Sequence, residues 1–260
     1  MSTFIEAKKS LGQNFLVDQN IIRNIVAAID PQEKETIIEI GPGQGALTAH
    51  LLAAQAHIIA IEKDERMEEP LTALAAEKGG TLNLNLTDAM NVKFEDIVTT
   101  PPVKLVGNLP YNIGTQIVFN ALHKPELFGQ MTFMLQKEVV ERITATAGSS
   151  NWGRLGVWCD LFAERKKIFD VPPTAFRPRP KIVSAIVQLT PLEKPRYAVN
   201  IKNLELILRK SFGQRRKMLR SSLKGVFTSE QLEAIGISPQ CRPETLTTEQ
   251  FCLLSTNIPT

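Results

Sequence analysis

Between Thr36 and about Leu189, short apolar runs alternate with stretches of helical spacing, and this alternation constrains the fold more than any other feature. Each run has the length of a buried strand, and only a few residues connect it to the next helical stretch. This order predicts an α/β fold in which a mostly parallel sheet carries helices on both faces. The last two runs, 165–171 and 181–190, are joined by PPTAFRPRP, which is too short for a helical crossover. We therefore expect an antiparallel hairpin at the edge of the sheet.

The pattern changes after Pro191. The stretch PLEKPRYAVN is polar and contains two prolines, as is typical of a linker. Beyond it only helical periodicity remains, at 201–212, 215–223, 229–234 and 247–254. The sequence therefore predicts two domains, with the sheet in residues 1–190 and a small all-helical domain in residues 191–260.

Composition narrows the class of protein. The chain has 260 residues, of which 43% are hydrophobic and 22% charged, as in an ordinary globular protein. We find neither an apolar run of membrane-spanning length nor the apolar core of a signal peptide, so we expect a cytoplasmic protein that does not bind membranes. Three cysteines without metal-ligand spacing predict neither a disulfide framework nor a metal site.

A glycine-rich turn, GPGQG, separates the first strand-like run from the helix that follows it. Gly41, Gly43 and Gly45 allow a tight turn and the close approach of a ligand. Glu62 ends the next run, about 20 residues on, where an acid can accept hydrogen bonds from ribose hydroxyls. Taken alone, the turn fits a nicotinamide or flavin cofactor as well as S-adenosylmethionine (SAM), and it also fits a turn without a ligand.

Two further polar residues follow strand-like runs. Asp88 comes after TLNLNL, and Asn108 comes after KLVG. Because the carboxyl ends of parallel strands meet at one edge of a sheet, we expect both beside Gly41 and Glu62. An acid in this position can accept from an adenine amine, which suits the nucleoside end of SAM. A solvated loop carboxylate at position 88 is the alternative, so the prediction depends on the combination.

The stretch GNLPYNI, residues 107–113, ends a strand on an amide and a phenol. The lone pair of an exocyclic base amine is delocalised, but two acceptors aimed at its hydrogens would localise it. The Asn108 side-chain oxygen and a main-chain carbonyl near Leu109 or Pro110 can supply them. Tyr111 can stack on the base. The pattern predicts methylation of the amine of an unpaired or flipped base, with a plain turn and a packed tyrosine as the alternative.

Basic residues are concentrated near the C-terminus. Eight of them lie between Asn200 and Gly225, against one acid, Glu205. The predicted helix over 215–223 places Arg216 and Arg220 on one face, because they are four residues apart. Such clusters neutralise phosphates, although a solvated helix face is the alternative. With a second basic loop, the residues expected to contact RNA are Arg177, Arg179, Lys181, Arg215, Arg216, Lys217 and Arg220.

Several of these motifs together resemble the ribosomal RNA adenine dimethylase family, and within it the branch that acts on 16S rRNA. The resemblance covers nearly the whole chain and includes KKSLGQNFL, EIGPGQGALT, IEKD, DAM, GNLPYNI, LQKEVVER, GRLGV, VPPTAFRPRPKIVSAIV and FGQRRKMLRSSL. It implies a Rossmann-like SAM-dependent methyltransferase that dimethylates N6 of two adjacent adenosines in a hairpin loop near the 3′ end of 16S rRNA. The implied partner is this rRNA in the small ribosomal subunit or its precursor, bound by a monomer.

The resemblance also implies roles for individual residues. Asn14 and Leu16 would close over SAM, and Gly41 and Gly43 would lie beside it. Glu62 would bind the ribose of SAM, and Asp88 would bind its adenine. Asn108 would border SAM and would also hold the target amine. Gly114, Gly156 and Ser221 depart from the family pattern; the two glycines are expected to loosen the target pocket slightly, and the serine to weaken an RNA contact. A 23S-directed methyltransferase, a non-catalytic ribosome-assembly factor and a nicotinamide-dependent oxidoreductase remain as alternatives.

Overall fold

The computed structural model describes residues 5–214 and 216–259, apart from the side chain of Lys9. The chain forms two compact units, one comprising the residues up to Val140 with Lys166–Pro191, the other Glu141–Arg165 with the residues from Leu192 onward. By this division Glu141–Arg165, within the predicted first domain, belongs to the second unit, and the chain enters that unit for the last time at Leu192. The Trp152 indole donates to the Leu246 carbonyl over 2.8 Å, a long-range contact that a reading along the chain does not reveal.

The strands and helices are described in chain order. The strands are β1 Phe15–Leu16, β2 Thr36–Ile40, β3 His57–Glu62, β4 Thr81–Leu86, β5 Val103–Asn108, β6 Phe128–Gln136, β7 Ala163–Val171, β8 Phe176–Arg177 and β9 Ser184–Pro191. The helices are α1 Gln19–Ile29, α2 Thr48–Ala53, α3 Glu68–Lys78, α4 Phe94–Ile97, α5 Gly114–Leu122, α6 Lys137–Ile143, α7 Arg154–Phe162, α8 Ile201–Gly213, α9 Leu219–Ser222, α10 Ser229–Ala234 and α11 Thr248–Thr256. None of the described helices is long and apolar enough to cross a bilayer.

A seven-stranded sheet in the order β4-β3-β2-β5-β6-β9-β7 confirms the predicted α/β architecture. The strands β2 to β6 pair in parallel, whereas β9 runs antiparallel to β6 and separates it from β7. The chain leaves β2 towards β3 on one side and later returns to β5 on the other, so the topological switch point lies between β2 and β5. In open α/β sheets, ligands bind at the carboxyl ends of the strands at this point.

The core of the first unit explains why α1 forms and where it packs. Asp18 caps α1 by accepting from the main-chain N–H groups of Asn20 and Ile21. The helix then buries Ile22, Ile25 and Ile29, whose spacing places them on one face. This face belongs to the same apolar cluster as the sheet residues Ile37, Ile58 and Val106.

The second unit contains α8, α10 and α11, close to where helical periodicity predicted them. Capping boxes at Thr228 and Thr247 fix the starts of α10 and α11. The helix predicted over 215–223 is wrong at 216–218, because α9 begins only at Leu219, and Arg215 lies outside the described residues. The N–H of Leu219 donates to the Cys241 carbonyl over 2.8 Å, not to a preceding helical turn.

Candidate active site

A cavity lies at the carboxyl ends of the central strands, at the switch point. Its volume is about 180 Å³. All seven residues predicted to bind a cofactor line it, five at the ends of the sheet strands and two, Asn14 and Leu16, in the N-terminal segment. The lining includes Asn14, Leu16, Gly41, Gly43, Glu62, Asp88, Asn108, Leu109, Pro110 and Tyr111. The structure therefore brings all of the predicted cofactor-binding and catalytic residues together.

The glycine turn after β2 has a backbone that favours glycine. Gly41, Gly43 and Gly45 have φ angles of 66°, 55° and 82°, in the left-handed region. A Cβ atom at Gly43 would lie 3.1 Å from the Phe15 ring, and one at Gly45 would lie 2.5 Å from Leu74. The three N–H groups donate to the Ile61 carbonyl, the Glu62 carboxylate and the Pro42 carbonyl, respectively. The turn therefore has no room for side chains at Gly43 and Gly45, and the N–H groups of its glycines are already used inside the protein.

Glu62 ends β3 and supports the turn directly. One carboxylate oxygen accepts from the Gly43 N–H over 3.0 Å, and the other accepts from the Asp64 N–H over 2.8 Å. Burial raises the pKa of Glu62, while these main-chain donors oppose the rise. A carboxylate can accept about four hydrogen bonds, so Glu62 keeps acceptor capacity on the cavity side.

Asp88 lies after β4 and shares the cavity wall with Lys63. Its carboxylate accepts from the Lys63 ammonium over 2.7 Å and from the Met90 N–H over 2.9 Å. The hydrogen bond from Lys63 is the main reason that the pKa of Asp88 is lowered. Asp88 therefore presents an ionised acceptor, and Lys63 is a lining residue that the sequence did not single out.

The NLPY loop follows β5 and faces the N-terminal segment. The Asn108 side-chain amide donates to the Asn14 carbonyl over 3.2 Å, which leaves its oxygen as an acceptor. The Pro110 carbonyl already accepts from the N–H groups of Ile113 and Gly114, at the start of α5. Of the two carbonyls proposed from the sequence, that of Leu109 is therefore the better second acceptor. Tyr111 is half-buried, and its hydroxyl hydrogen-bonds to the Ser184 hydroxyl over 2.8 Å.

The N-terminal segment reaches the cavity through a pairing that the sequence did not reveal. Strand β1 runs antiparallel to β8, with Phe15 opposite Arg177 and Leu16 opposite Phe176. This pairing holds Asn14 and Leu16 against the cavity and places the predicted basic loop beside it. A two-residue strand carries almost no periodicity, so only the family motif pointed to these residues.

Glu39, a buried acid of β2, also lines the cavity and was not predicted. It is 2% exposed, and the Thr48 hydroxyl donates to its carboxylate over 2.7 Å. Burial raises the pKa of Glu39 to about 7. The sequence could have indicated this residue, because Glu39 is the one charged residue in the apolar run TIIEI. Acidic residues are seldom fully buried unless they are paired.

The predicted RNA-binding cations fall into two groups. In the first unit Arg177 is exposed at the end of β8, and Arg179 and Lys181 are exposed in the loop between β8 and β9. Arg216, Lys217 and Arg220 are exposed in the second unit, although only Arg220 lies on a helix. Arg215 lies outside the described residues.

The expected loosening at Gly114 and Gly156 is wrong. A Cβ atom at Gly114 would lie 2.4 Å from the Leu135 side chain, so no void replaces the missing side chain. At Gly156 a Cβ atom would lie 2.9 Å from both the Arg142 carbonyl and the Trp152 ring. Both positions are tightly packed, each within its own unit.

Comparison with known proteins identifies close relatives. The family model described as ribosomal RNA adenine dimethylase matches residues 5–259. The chain is 43% identical to ribosomal RNA small subunit methyltransferase A of Rhizobium johnstonii, over 98% of this chain and 94% of that protein. It is also 43% identical to the protein of the same name from Wolbachia pipientis, over 98% of this chain and 97% of that one.

Two solved structures share this fold. A dimethyladenosine transferase from Plasmodium falciparum is 26% identical, with a TM-score of 0.80 over 92% of this chain and 95% of that one. The 23S rRNA methyltransferase ErmE is 23% identical, with a TM-score of 0.69 over 94% of this chain and 99% of that one. The second likeness concerns the fold alone.

Proposed function

The chain belongs to the ribosomal RNA adenine dimethylase family, and we propose that it uses SAM to dimethylate N6 of two adjacent adenosines near the 3′ end of 16S rRNA. The target would be the hairpin loop of that rRNA in the small ribosomal subunit or its precursor. The position of Asn108 is the observation that supports methylation of a base amine most strongly. The Asn108 amide is held by the Asn14 carbonyl at the switch point, between the glycine turn and Tyr111.

The lining residues fit SAM better than a dinucleotide. A dinucleotide site of the glycine-turn type offers free N–H groups to a pyrophosphate, but those of Gly41, Gly43 and Gly45 donate within the protein. A Cβ atom at Gly41 would lie 3.8 Å from the Asn108 carbonyl oxygen, so glycine keeps the space between the turn and β5 open. This geometry also argues against the nicotinamide-dependent alternative.

Each part of the cofactor then has a residue that can hold it. Gly41 and Gly43 border the space for the methionine part, Glu62 would accept from the ribose hydroxyls, and Asp88 would accept from the adenine amine. Asn14 and Leu16 would cover the cofactor from the N-terminal segment. When bound, SAM supplies an electrophilic methyl group on a sulfonium.

The NLPY loop would prepare the nucleophile. The Asn108 oxygen and the Leu109 carbonyl would each accept one hydrogen of the adenine amine, which localises the nitrogen lone pair and aims it at the methyl. Pro110 restricts the backbone of the loop, and Tyr111 would stack on the base. The target adenosine has to be unpaired or flipped, because N6 of a paired base is out of reach. The methylated amine is cationic and loses its proton to water, so no side-chain base is required.

The exposed cations would bind the rRNA backbone. Arg177 ends β8, which pairs with the cavity-lining strand β1, and Arg179 and Lys181 lie in the loop that follows. Arg216, Lys217 and Arg220, together with Arg215, would contact phosphates from the helical unit. Affinity for RNA should then fall steeply as salt increases.

Methylation of defined ribosomal subunits tests the proposal. Small subunits lacking the 3′-terminal modification are incubated with the protein and methyl-labelled SAM, and dimethyladenosine is quantified after digestion of the RNA. We expect dimethyladenosine in the 3′-terminal hairpin and none in large subunits treated in parallel. Label in large-subunit rRNA would reassign the substrate. SAM binding without transfer to either subunit would favour a non-catalytic assembly factor.

A further inference from the structure

Asp64 is a buried carboxylate that the mechanism above does not use. It follows β3, two residues after Glu62, and its side chain is 0% exposed. A buried carboxylate is costly unless it is paired and hydrogen-bonded. Asp64 meets this requirement with donors from Lys8, Gln13 and Arg66. Two of these donors come from the N-terminal segment, more than 50 residues away in sequence.

These contacts hold the segment 8–16, which we call the N-terminal strap. The Lys8 ammonium lies 3.1 Å from one Asp64 oxygen, and the Gln13 amide donates to the other over 2.9 Å. The Gln13 side-chain oxygen in turn accepts from the Lys8 N–H over 2.8 Å, so the two strap residues are also tied to each other. The strap residues from Ser10 to Leu16 line the cavity.

Arg66 completes the cluster of donors around Asp64. It donates from two guanidinium nitrogens to both Asp64 oxygens, over 2.9 and 2.6 Å, and from a third to the Glu6 carbonyl over 3.2 Å. The hydrogen bond from Arg66 is the main reason that the pKa of Asp64 lies well below its usual range. Asp64 therefore stays ionised throughout the neutral range and binds its donors as a charged acceptor.

The same residue is connected to the predicted ribose ligand. The Asp64 N–H donates to one Glu62 oxygen over 2.8 Å, while the other accepts from Gly43. At the far end of the strap, the Asn14 carbonyl accepts from Asn108. We infer that Asp64 is a positioning residue for the cofactor: through Lys8 and Gln13 it holds the strap closed over the cavity that Glu62 and Asn108 line. This inference rests on the proposed use of SAM at this site.

Asp64→Asn tests the inference by replacing the charge without changing the size of the side chain. We expect the dissociation constant for SAM to rise about tenfold or more, mainly through faster dissociation, because a charged acceptor is lost. In the cofactor-free protein, amide hydrogen exchange across residues 8–16 should become faster. KM for the RNA should stay within twofold. Asp170→Asn is a matched control, because Asp170 also accepts from two lysines, Lys137 and Lys167, but does not line the cavity.

Lys8 provides a second variant that tests the inference even if Asp64→Asn fails to fold. Lys8 does not line the cavity, so Lys8→Met can weaken SAM binding only by releasing the strap. We expect Lys8→Arg to restore tight binding, and Lys8→Met combined with Asp64→Asn to be less damaging than the product of the single effects. Faster exchange in the strap with an unchanged SAM dissociation constant would overturn the inference and leave the proposed function standing. A wild-type protein that does not bind SAM would overturn both.

Discussion

The two units of this protein hold their charged residues in contrasting ways. The first unit contains 16 Lys and Arg against 18 Asp and Glu, a net charge of −2, whereas the second contains 14 against 9, a net charge of +5. In the first unit Glu39, Glu62 and Asp64 are buried, and each accepts a hydrogen bond from a defined donor. In the second unit Arg216, Lys217 and Arg220 are exposed.

The difference indicates two kinds of recognition. A cavity that orients one cofactor and one base needs each polar group at a fixed place, so the loss of a single group should be severe. Binding to an RNA backbone depends on summed charge, so the loss of one cation should be mild. Substitutions of cavity residues and of exposed cations should therefore differ in size and also in the quantity that they change.

The largest effect is expected for Asn108→Ala, which removes an acceptor for the target amine. We expect kcat to fall on the order of 100- to 1,000-fold, as for the loss of a group that stabilises a transition state. RNA affinity should change by less than twofold, because the cations are untouched. Methyl transfer under single-turnover conditions and RNA binding by filter retention measure the two quantities, with Asn120→Ala on α5 as a control. A loss of RNA affinity as large as the loss of kcat would show that Asn108 also binds the RNA, and would contradict the separation of roles between cavity residues and cations.

The second prediction concerns Glu39, whose burial raises its pKa from 4.5 to about 7. Below pH 4.5 the carboxyl is neutral in the folded and the unfolded chain, so its titration costs no stability. As the pH rises from 4.5 to 7, the unfolded chain loses the proton first, and the folded state becomes relatively less stable. Glu39→Gln removes this loss, so the variant should gain about 3 kcal/mol over the wild type between pH 4.5 and 8.

Urea unfolding of the cofactor-free protein at several pH values measures this gain. The Thr48 hydroxyl can still donate to the glutamine oxygen, so the packing around position 39 is kept. Glu126→Gln, at an exposed position of the same unit, should leave the pH dependence of stability unchanged. An equal gain from both substitutions would show that net charge, not burial, sets the dependence.

The sequence predicted those features whose residues lie close together along the chain, and it did not predict contacts between distant segments. The strands β2, β3 and β5 are short apolar runs, and Gly41, Glu62 and Asn108 at their ends identified the cavity edge. The strap contacts of Asp64 and the β1–β8 pairing join segments far apart in sequence, so no periodicity marks them. The segment Glu141–Arg165 also belongs to the second unit, because it makes long-range contacts there, such as that of Trp152 with Leu246. The sequence does not show such contacts. The N–H of Leu219, at the start of α9, likewise donates to the distant Cys241 carbonyl.

The third prediction concerns Arg165, which ties together the part of the second unit that precedes the linker. Its guanidinium donates to the carbonyls of Ile143, Ala145 and Gly156 and pairs with Asp160. The side chain is 11% exposed, so solvent screens the pair only in part. Arg165→Met should cost about 2 kcal/mol, because it leaves Asp160 without its cation.

Both tryptophans of the chain, Trp152 and Trp158, lie in the second unit, so their fluorescence reports its unfolding. We expect the fluorescence transition of Arg165→Met to move to lower urea, while SAM affinity in the absence of urea is retained. Arg154→Met, at an exposed position of α7, is the control and should not move the transition. A loss of SAM affinity in Arg165→Met would show that the cavity depends on the second unit.

The smallest effect is expected for a single exposed cation, Lys217. Lys217→Ala should weaken binding of the 3′-terminal rRNA hairpin only about threefold near 0.15 M salt, because one phosphate contact among several is lost. The slope of log affinity against log salt should become shallower by about 0.7 to 0.9. SAM affinity should not change. Titrations at several salt concentrations, with Lys124→Ala of the first unit as the matched control, measure the slope. A fall in kcat comparable to that expected for Asn108→Ala would mean that Lys217 acts on the target base. The cations would then not be limited to binding the RNA backbone.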